Sequence, residues 1–97
     1  MKIQVLRSAM EDLAAGRRFY DRQEIDLGDY FFDSLFAEID SLALYGGIHA
    51  VHFGFHRLLA KRFPYAVYYK VTDDKVIVYR VLDCRRNPKR LRKALDL

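Results

Sequence analysis

Between Phe55 and Leu82 the chain passes through stretches of β-branched and aromatic residues, Phe55 to Ala60, Tyr65 to Val71 and Lys75 to Leu82, parted by turn residues at Phe63-Pro64 and Thr72-Asp73-Asp74. Such residues fit a pleated, half-buried surface, and connections this short make each stretch fold back on the one before it. An antiparallel meander is the expected product. Pro64 has no amide to donate, so it must start a strand rather than interrupt one, and Asp73-Asp74 suits a tight hairpin loop. Tyr65, Val67, Tyr69 and Val71 share one face of their strand and should point into a core. Tyr68 falls on the other face with Lys70, which makes it the aromatic of this run to expect at a partner contact.

The residues before the meander must supply the layer that covers it. Ser8 lies three residues before Glu11, the spacing of a capping box, and predicts a helix from Ala9 to near Glu24 with Ala9, Leu13, Gly16 and Tyr20 on its inward stripe. Asp29 is the expected cap of a second helix running through Tyr45, with Gly46-Gly47 as its left-handed stop. Leu27, Phe31, Leu35, Ile39 and Leu42 form one apolar row on that helix, and Phe32, Phe36 and Ala43 a second. Lys2 to Leu6 is a short β-prone opening, placed at a sheet edge or beside a distant strand. In the tail, Leu91, Ala94 and Leu95 recur at helical spacing. The predicted class is α+β in the order β-α-α-β-β-β, a helical hairpin packed on a twisted antiparallel sheet with a short C-terminal helix or tail. A chain of 97 residues, 52% of them hydrophobic, with no linker or repeat, is expected to build one core and one domain over residues 1–97.

Charge is divided unevenly along this chain. Residues 1–50 hold five Lys/Arg against nine Asp/Glu, a net of −4, whereas residues 51–97 hold twelve against four, a net of +8. A basic half of this kind suits a polyanion or an acidic protein, or it attracts the acidic half on folding. One cysteine, Cys84, excludes an internal disulfide framework and a multi-thiolate zinc site, and points to a reducing cytoplasm. It is expected as a small, buried or half-buried residue at a strand end. The first residues are too short an apolar run for a signal peptide, and no run of about 18 uncharged apolar residues suggests a membrane span. His49, His52 and His56 have intervals that could align for a metal on a helix, but Gly46, Gly47 and Gly54 mark this stretch as a loop entering a strand. No metal and no cofactor are expected.

The segment Lys61-Arg62-Phe63-Pro64-Tyr65-Ala66-Val67-Tyr68-Tyr69, followed by Arg80-Val81-Leu82 and Arg85-Arg86-Asn87-Pro88, resembles the ParE/RelE superfamily of toxins from bacterial toxin-antitoxin operons. Ala9 with Leu13, and Ser41-Leu42, also look like the family, so the resemblance extends over essentially the whole chain. It implies a helical hairpin on a twisted antiparallel sheet, the order reached above from periodicity. It also implies a cognate antitoxin whose flexible acidic end wraps the toxin and folds on contact, for which an extended basic surface is suited.

The superfamily divides chemically. RelE-like members cleave messenger RNA on the ribosome and need cations together with a general acid or base. That branch commonly carries an arginine just behind the leading Tyr of its strand, where this chain has Ala66, and a Tyr or His after the last strand. Here no Tyr follows Tyr79 and no His follows His56. Arginines supply charge but do not exchange protons near neutral pH. The Phe-Pro-Tyr and Arg-Arg-Asn-Pro motifs look instead like the ParE branch, whose members poison DNA gyrase by binding. The resemblance therefore implies a growth-inhibiting gyrase toxin rather than an enzyme. The contact candidates are Arg57, Lys61, Arg62, Tyr68, Arg80, Arg85, Arg86 and Arg90. The alternatives are a ribosome-dependent endoribonuclease acting on messenger RNA and a toxin fold that has lost toxicity.

Overall fold

The computed structural model describes residues 1–96. In chain order the elements are β1 (Lys2–Val5), α1 (Arg7–Asp21), α2 (Leu27–Tyr45), β2 (Val51–His52), β3 (Phe55–Leu59), β4 (Tyr65–Thr72), β5 (Lys75–Asp83) and α3 (Pro88–Leu95). The strands form one sheet in the order β1-β5-β4-β3-β2. The meander is antiparallel as expected, and β1 lies beside a distant strand at the sheet edge. It joins β5 in parallel, with Ile3 opposite Val76 and Val5 opposite Val78, so the whole sheet is mixed. The added strand β2 is too short for alternation to reveal it.

Asp73 and Asp74 make the β4–β5 turn with φ of 51° and 60°. This left-handed pair matches the right-handed twist of the strands it joins, and Asp tolerates it. β4 starts directly after Pro64. At the end of α2 only Gly47 takes a positive φ, 99°, while Gly46 stays at −55°.

The α1–α2 hairpin covers one face of the sheet. Leu13, Phe31, Leu35, Ile39 and Leu42 are buried with Val67, Tyr69, Val76 and Val78 in one cluster. A Cβ at Gly16 would fall 2.5 Å from the Phe31 ring, so the close approach of the two helices needs glycine there. Tyr65 joins this core, but Val71, expected on the same buried face, is 37% exposed because it lies beside the hairpin turn.

Neither predicted helix cap forms. α1 starts at Arg7 with no side-chain cap, and the Ser8 hydroxyl instead donates to the Tyr79 carbonyl at 2.6 Å. The reason is the short β1. Its pairing ends at Val5 opposite Val78, which leaves the β5 edge open from Tyr79 onward. α1 runs along that edge and closes it, the Asp12 carboxylate accepting the Val81 N–H at 2.9 Å. α1 ends at Asp21, earlier than Glu24, and α2 begins at Leu27 after Asp26 turns the chain at φ 68°. Asp29 therefore lies inside the first turn, where it pairs with Arg17.

A β-bulge interrupts the alternation of β5. Tyr68 faces Arg80 and Tyr69 faces Val78, leaving Tyr79 as the extra residue. This lets both Val78 and Val81 point at the helices, although they are three positions apart.

The tail is helical and folds back on the sheet. The Asn87 side chain accepts the Lys89 N–H at 2.8 Å and Pro88 occupies the first turn of α3. Leu91 and Leu95 then pack on Phe55, Ala66, Tyr68 and Leu82, a second apolar cluster on the face away from α1 and α2. The expectation of Tyr68 at a partner surface is thereby corrected. It is 1% exposed, because α3 covers it.

Candidate partner-binding surface

Tyr65 pairs with Asp83 across β4 and β5, and the Cys84 N–H donates to the Pro64 carbonyl at 2.7 Å. These bonds bring the connection before β4 and the turn after β5 to the same end of the sheet. Lys61 and Arg62 lie in the first and Arg85 and Arg86 in the second, all exposed. The sequence distance between the pairs hides this neighbourhood, which strand pairing creates.

An aromatic cluster supports that end. Phe63 packs on Tyr20, Tyr30 and Phe31 with centroids 4.9, 5.6 and 5.1 Å away, and Tyr65 lies 4.8 Å from Phe31. Phe63 and Tyr65 thus anchor the cationic loop to the helical hairpin. The Arg62 guanidinium rests 5.8 Å from the centroid of the Tyr30 ring, a cation–π contact on the surface.

Arg85 is held by its neighbour. Its guanidinium grips the Asp83 carboxylate through both oxygens, at 2.9 and 2.7 Å, and its backbone N–H donates to the same group. The hydrogen bonds from Arg85 hold Asp83 below the usual carboxylate range. Arg86 lines a groove of about 200 Å³ between α1 and the end of β5, with Asp12, Phe19, Tyr65 and Asp83.

Burial, and then the nearby Asp83 charge, push the Tyr65 hydroxyl up to about 12. An unfolded tyrosine titrates near 10, so the folded state favours neutral Tyr65. Its contribution to stability is complete below pH 10 and disappears as pH rises from about 10 to 12. Chemical denaturation across that range should show a steep loss of stability, and Tyr65→Phe should make the profile shallower without flattening it, because burial also raises Tyr20 and Tyr68.

Three further candidates lie in one row on the far face. Arg57 is opposite Tyr68 and Tyr68 is opposite Arg80. Burial raises the Tyr68 hydroxyl, and the adjacent Arg57 opposes that rise. Arg80 is not a free charge: it donates to both oxygens of Asp12, at 2.7 and 2.9 Å, and to the Ala94 carbonyl at 2.9 Å. Its side chain is only 21% exposed. This corrects the expectation of Arg80 as an open contact, because the bulge turns it to the junction of α1, β5 and α3. Arg90 is exposed on α3.

The other singled-out residues serve the fold. The Tyr69 hydroxyl accepts the Gly47 N–H at 3.0 Å and bonds to Nδ1 of His49. His56 Nδ1–H donates to the His49 carbonyl at 2.6 Å, and its ring stacks on Tyr69. Burial, and then the neighbouring His56, lower the His49 pKa. The histidine stretch thus ties the loop after α2 to the sheet. Cys84, expected to be buried or half-buried, is exposed, because β5 ends at Asp83 and Cys84 enters the turn.

A chain of the chromosomal ParDE TA system from P. aeruginosa matches this architecture with a TM-score of 0.67, covering 84% of this chain and 92% of that one at 18% identity. The two chains share a fold. No protein-family model and no curated protein matches the chain. The fold implied by the sequence resemblance is therefore the observed one. Among the described residues, no helix is long and apolar enough to cross a membrane.

Proposed function

We propose that the chain is the toxin component of a type II toxin-antitoxin pair, acting in the cytoplasm by binding and poisoning DNA gyrase and neutralised by a cognate antitoxin. The observation that carries this reading is the meeting of Lys61, Arg62, Arg85 and Arg86 at one end of the sheet, on a fold shared with a ParDE system chain. Such a surface grips an acidic macromolecule by charge complementarity and needs no proton transfer. The nearby Tyr65 hydroxyl keeps its proton through neutral pH, so it is no general base there. The ribonuclease alternative finds a tyrosine between two arginines in the Arg57-Tyr68-Arg80 row, but α3 packs over Tyr68 and Asp12 occupies Arg80.

Purified protein should inhibit gyrase supercoiling and accumulate cleaved DNA. Among the described residues, Arg62 and Arg86 are the exposed arginines of this end that, like Lys61, no carboxylate grips within ion-pair distance. Replacing both with Glu should weaken inhibition by about tenfold or more, the equivalent of about 1.4 kcal/mol in binding. Unfolding free energy should stay within about 0.5 kcal/mol of the parent, as for other surface substitutions. Transcript cleavage in a translating extract, with gyrase unaffected, would reverse the assignment to the RelE-like activity.

A further inference from the structure

β2 protects only the first part of β3. Val51 pairs with His56 and His52 with Phe55, and the Arg57 N–H donates to the Ala50 carbonyl at 3.0 Å. Beyond that point no strand among the described residues pairs with this edge. Bonding direction alternates along a strand, and the Ala60 N–H points toward β4, where it meets the Tyr65 carbonyl at 2.9 Å. The Leu59 N–H and C=O consequently point outward past the end of β2, a template for another strand.

Beneath this edge lies a groove of about 230 Å³ between α2 and β3, bordered by Glu38, Ser41, Tyr45, Ile48, Leu59 and Lys61. Its rim leaves apolar side chains in water, with Tyr45 54% and Ile48 72% exposed. Glu38 Oε2 is buried and, among the described residues, has no hydrogen-bond partner. The Ser41 hydroxyl does not relieve it, since it donates to the Glu38 backbone carbonyl at 2.6 Å. Among the described residues the ion-paired carboxylates are Asp12, Asp29 and Asp83, and Lys61 stays beyond ion-pair distance of Glu38. A buried carboxylate oxygen without a partner carries a desolvation cost that an incoming cation would offset.

We propose that the open edge of β3 takes an extended peptide strand of a partner protein, which bonds to the Leu59 backbone and aims a lysine or arginine at Glu38. Side chains of the added strand alternate between faces. One set meets Glu38, Ser41 and Tyr45 under the edge, where a cation fits. The other set meets Arg57 and Leu59 on the far face, where acidic or apolar residues fit. A second copy of this chain is a poor occupant. Antiparallel self-pairing about Leu59 would set Arg57 of one copy opposite Lys61 of the other, and like charges in facing positions repel. This surface meets the cationic end at Lys61 but is otherwise formed by different residues, and the proposal stands independently of gyrase as target.

Panning a phage-displayed library of random peptides about 12 residues long against the immobilised full chain tests it, a length that spans any one strand. Selected peptides should carry Lys or Arg flanked at adjacent positions by acidic or apolar residues. Their affinity should fall about tenfold for Glu38→Gln, about 1.4 kcal/mol. In ¹⁵N spectra they should shift the amides of Leu59 to Lys61 and of Ser41 to Tyr45 and slow exchange at Leu59. Leu59→Pro removes the outward N–H while β4 pairing persists, and it should abolish binding. Selection without basic residues, equal affinity for Glu38→Gln, or shifts confined to α3 would overturn the proposal. A dimer in sedimentation with the Leu59 amide protected in the absence of peptide would likewise overturn it and give the edge to a second copy.

Discussion

Tyr68→Ala should lower the unfolding free energy by about 3 to 5 kcal/mol, as large-to-small changes at fully buried aromatic sites do. In a domain of this size that corresponds to a fall in Tm on the order of 15 to 30 °C. Tyr68 is 1% exposed and packs between Phe55, Ala66 and Leu82 of the sheet and Leu91 and Leu95 of α3. Truncating the ring would leave α3 without much of the surface it rests on. Backbone amides of α3 should therefore exchange faster than the global loss of stability requires. Tyr68→Phe separates packing from polarity: it keeps the ring and deletes only the hydroxyl beside Arg57, with an expected cost of about 0.5 to 1.5 kcal/mol. Urea unfolding of both variants is the check. A Tyr68→Ala protein as stable as the parent would mean that α3 does not rest on the sheet in solution, and Tyr68 would return to the candidate contacts.

Much of this arrangement was legible from residue pattern. The β4–β5 hairpin follows from two apolar runs and an Asp-Asp turn, and the α2 core row from Phe31, Leu35, Ile39 and Leu42 at helical intervals. What periodicity missed depends on contacts between residues far apart in the chain. Ser8 has the spacing of a cap, but the open carbonyl of Tyr79 takes its hydroxyl. Arg80 reads as a solvated strand cation until the Tyr79 bulge turns it toward Asp12, 68 residues earlier. A signal for the α3 lid was present. Phe55, Ala66, Tyr68 and Leu82 give the far face more apolar surface than a solvated face carries, and Leu91 and Leu95 provide the matching stripe. Lys61 and Arg62 were visible as cations, whereas their meeting with Arg85 and Arg86 depends on the pairing of Tyr65 with Asp83. Glu38 gave no signal, being one acid on an amphipathic helix whose isolation is a tertiary property.

Asp12→Ala is expected to destabilise the fold by about 2 to 4 kcal/mol, because one substitution strips partners from two groups. Arg80 loses both charge-assisted bonds while its guanidinium stays largely covered, and the Val81 N–H loses its acceptor at the open edge of β5. Arg80→Ala should cost less, since the Asp12 carboxylate it leaves behind still accepts the Val81 N–H, although that carboxylate loses its counter-ion and the Ala94 carbonyl at the end of α3 loses a donor. The double variant should lie well short of the sum, with a coupling energy of about 1 to 3 kcal/mol, the range for residues in one bonded network. Asp12→Asn can still accept from Val81 and should fall between the parent and Asp12→Ala. The cycle also distinguishes the two roles open to Arg80. Strong coupling places its charge in the junction of α1, β5 and α3, where it holds the lid over Tyr68. Additive effects would mean that Arg80 faces water in solution and remains available to a macromolecular partner.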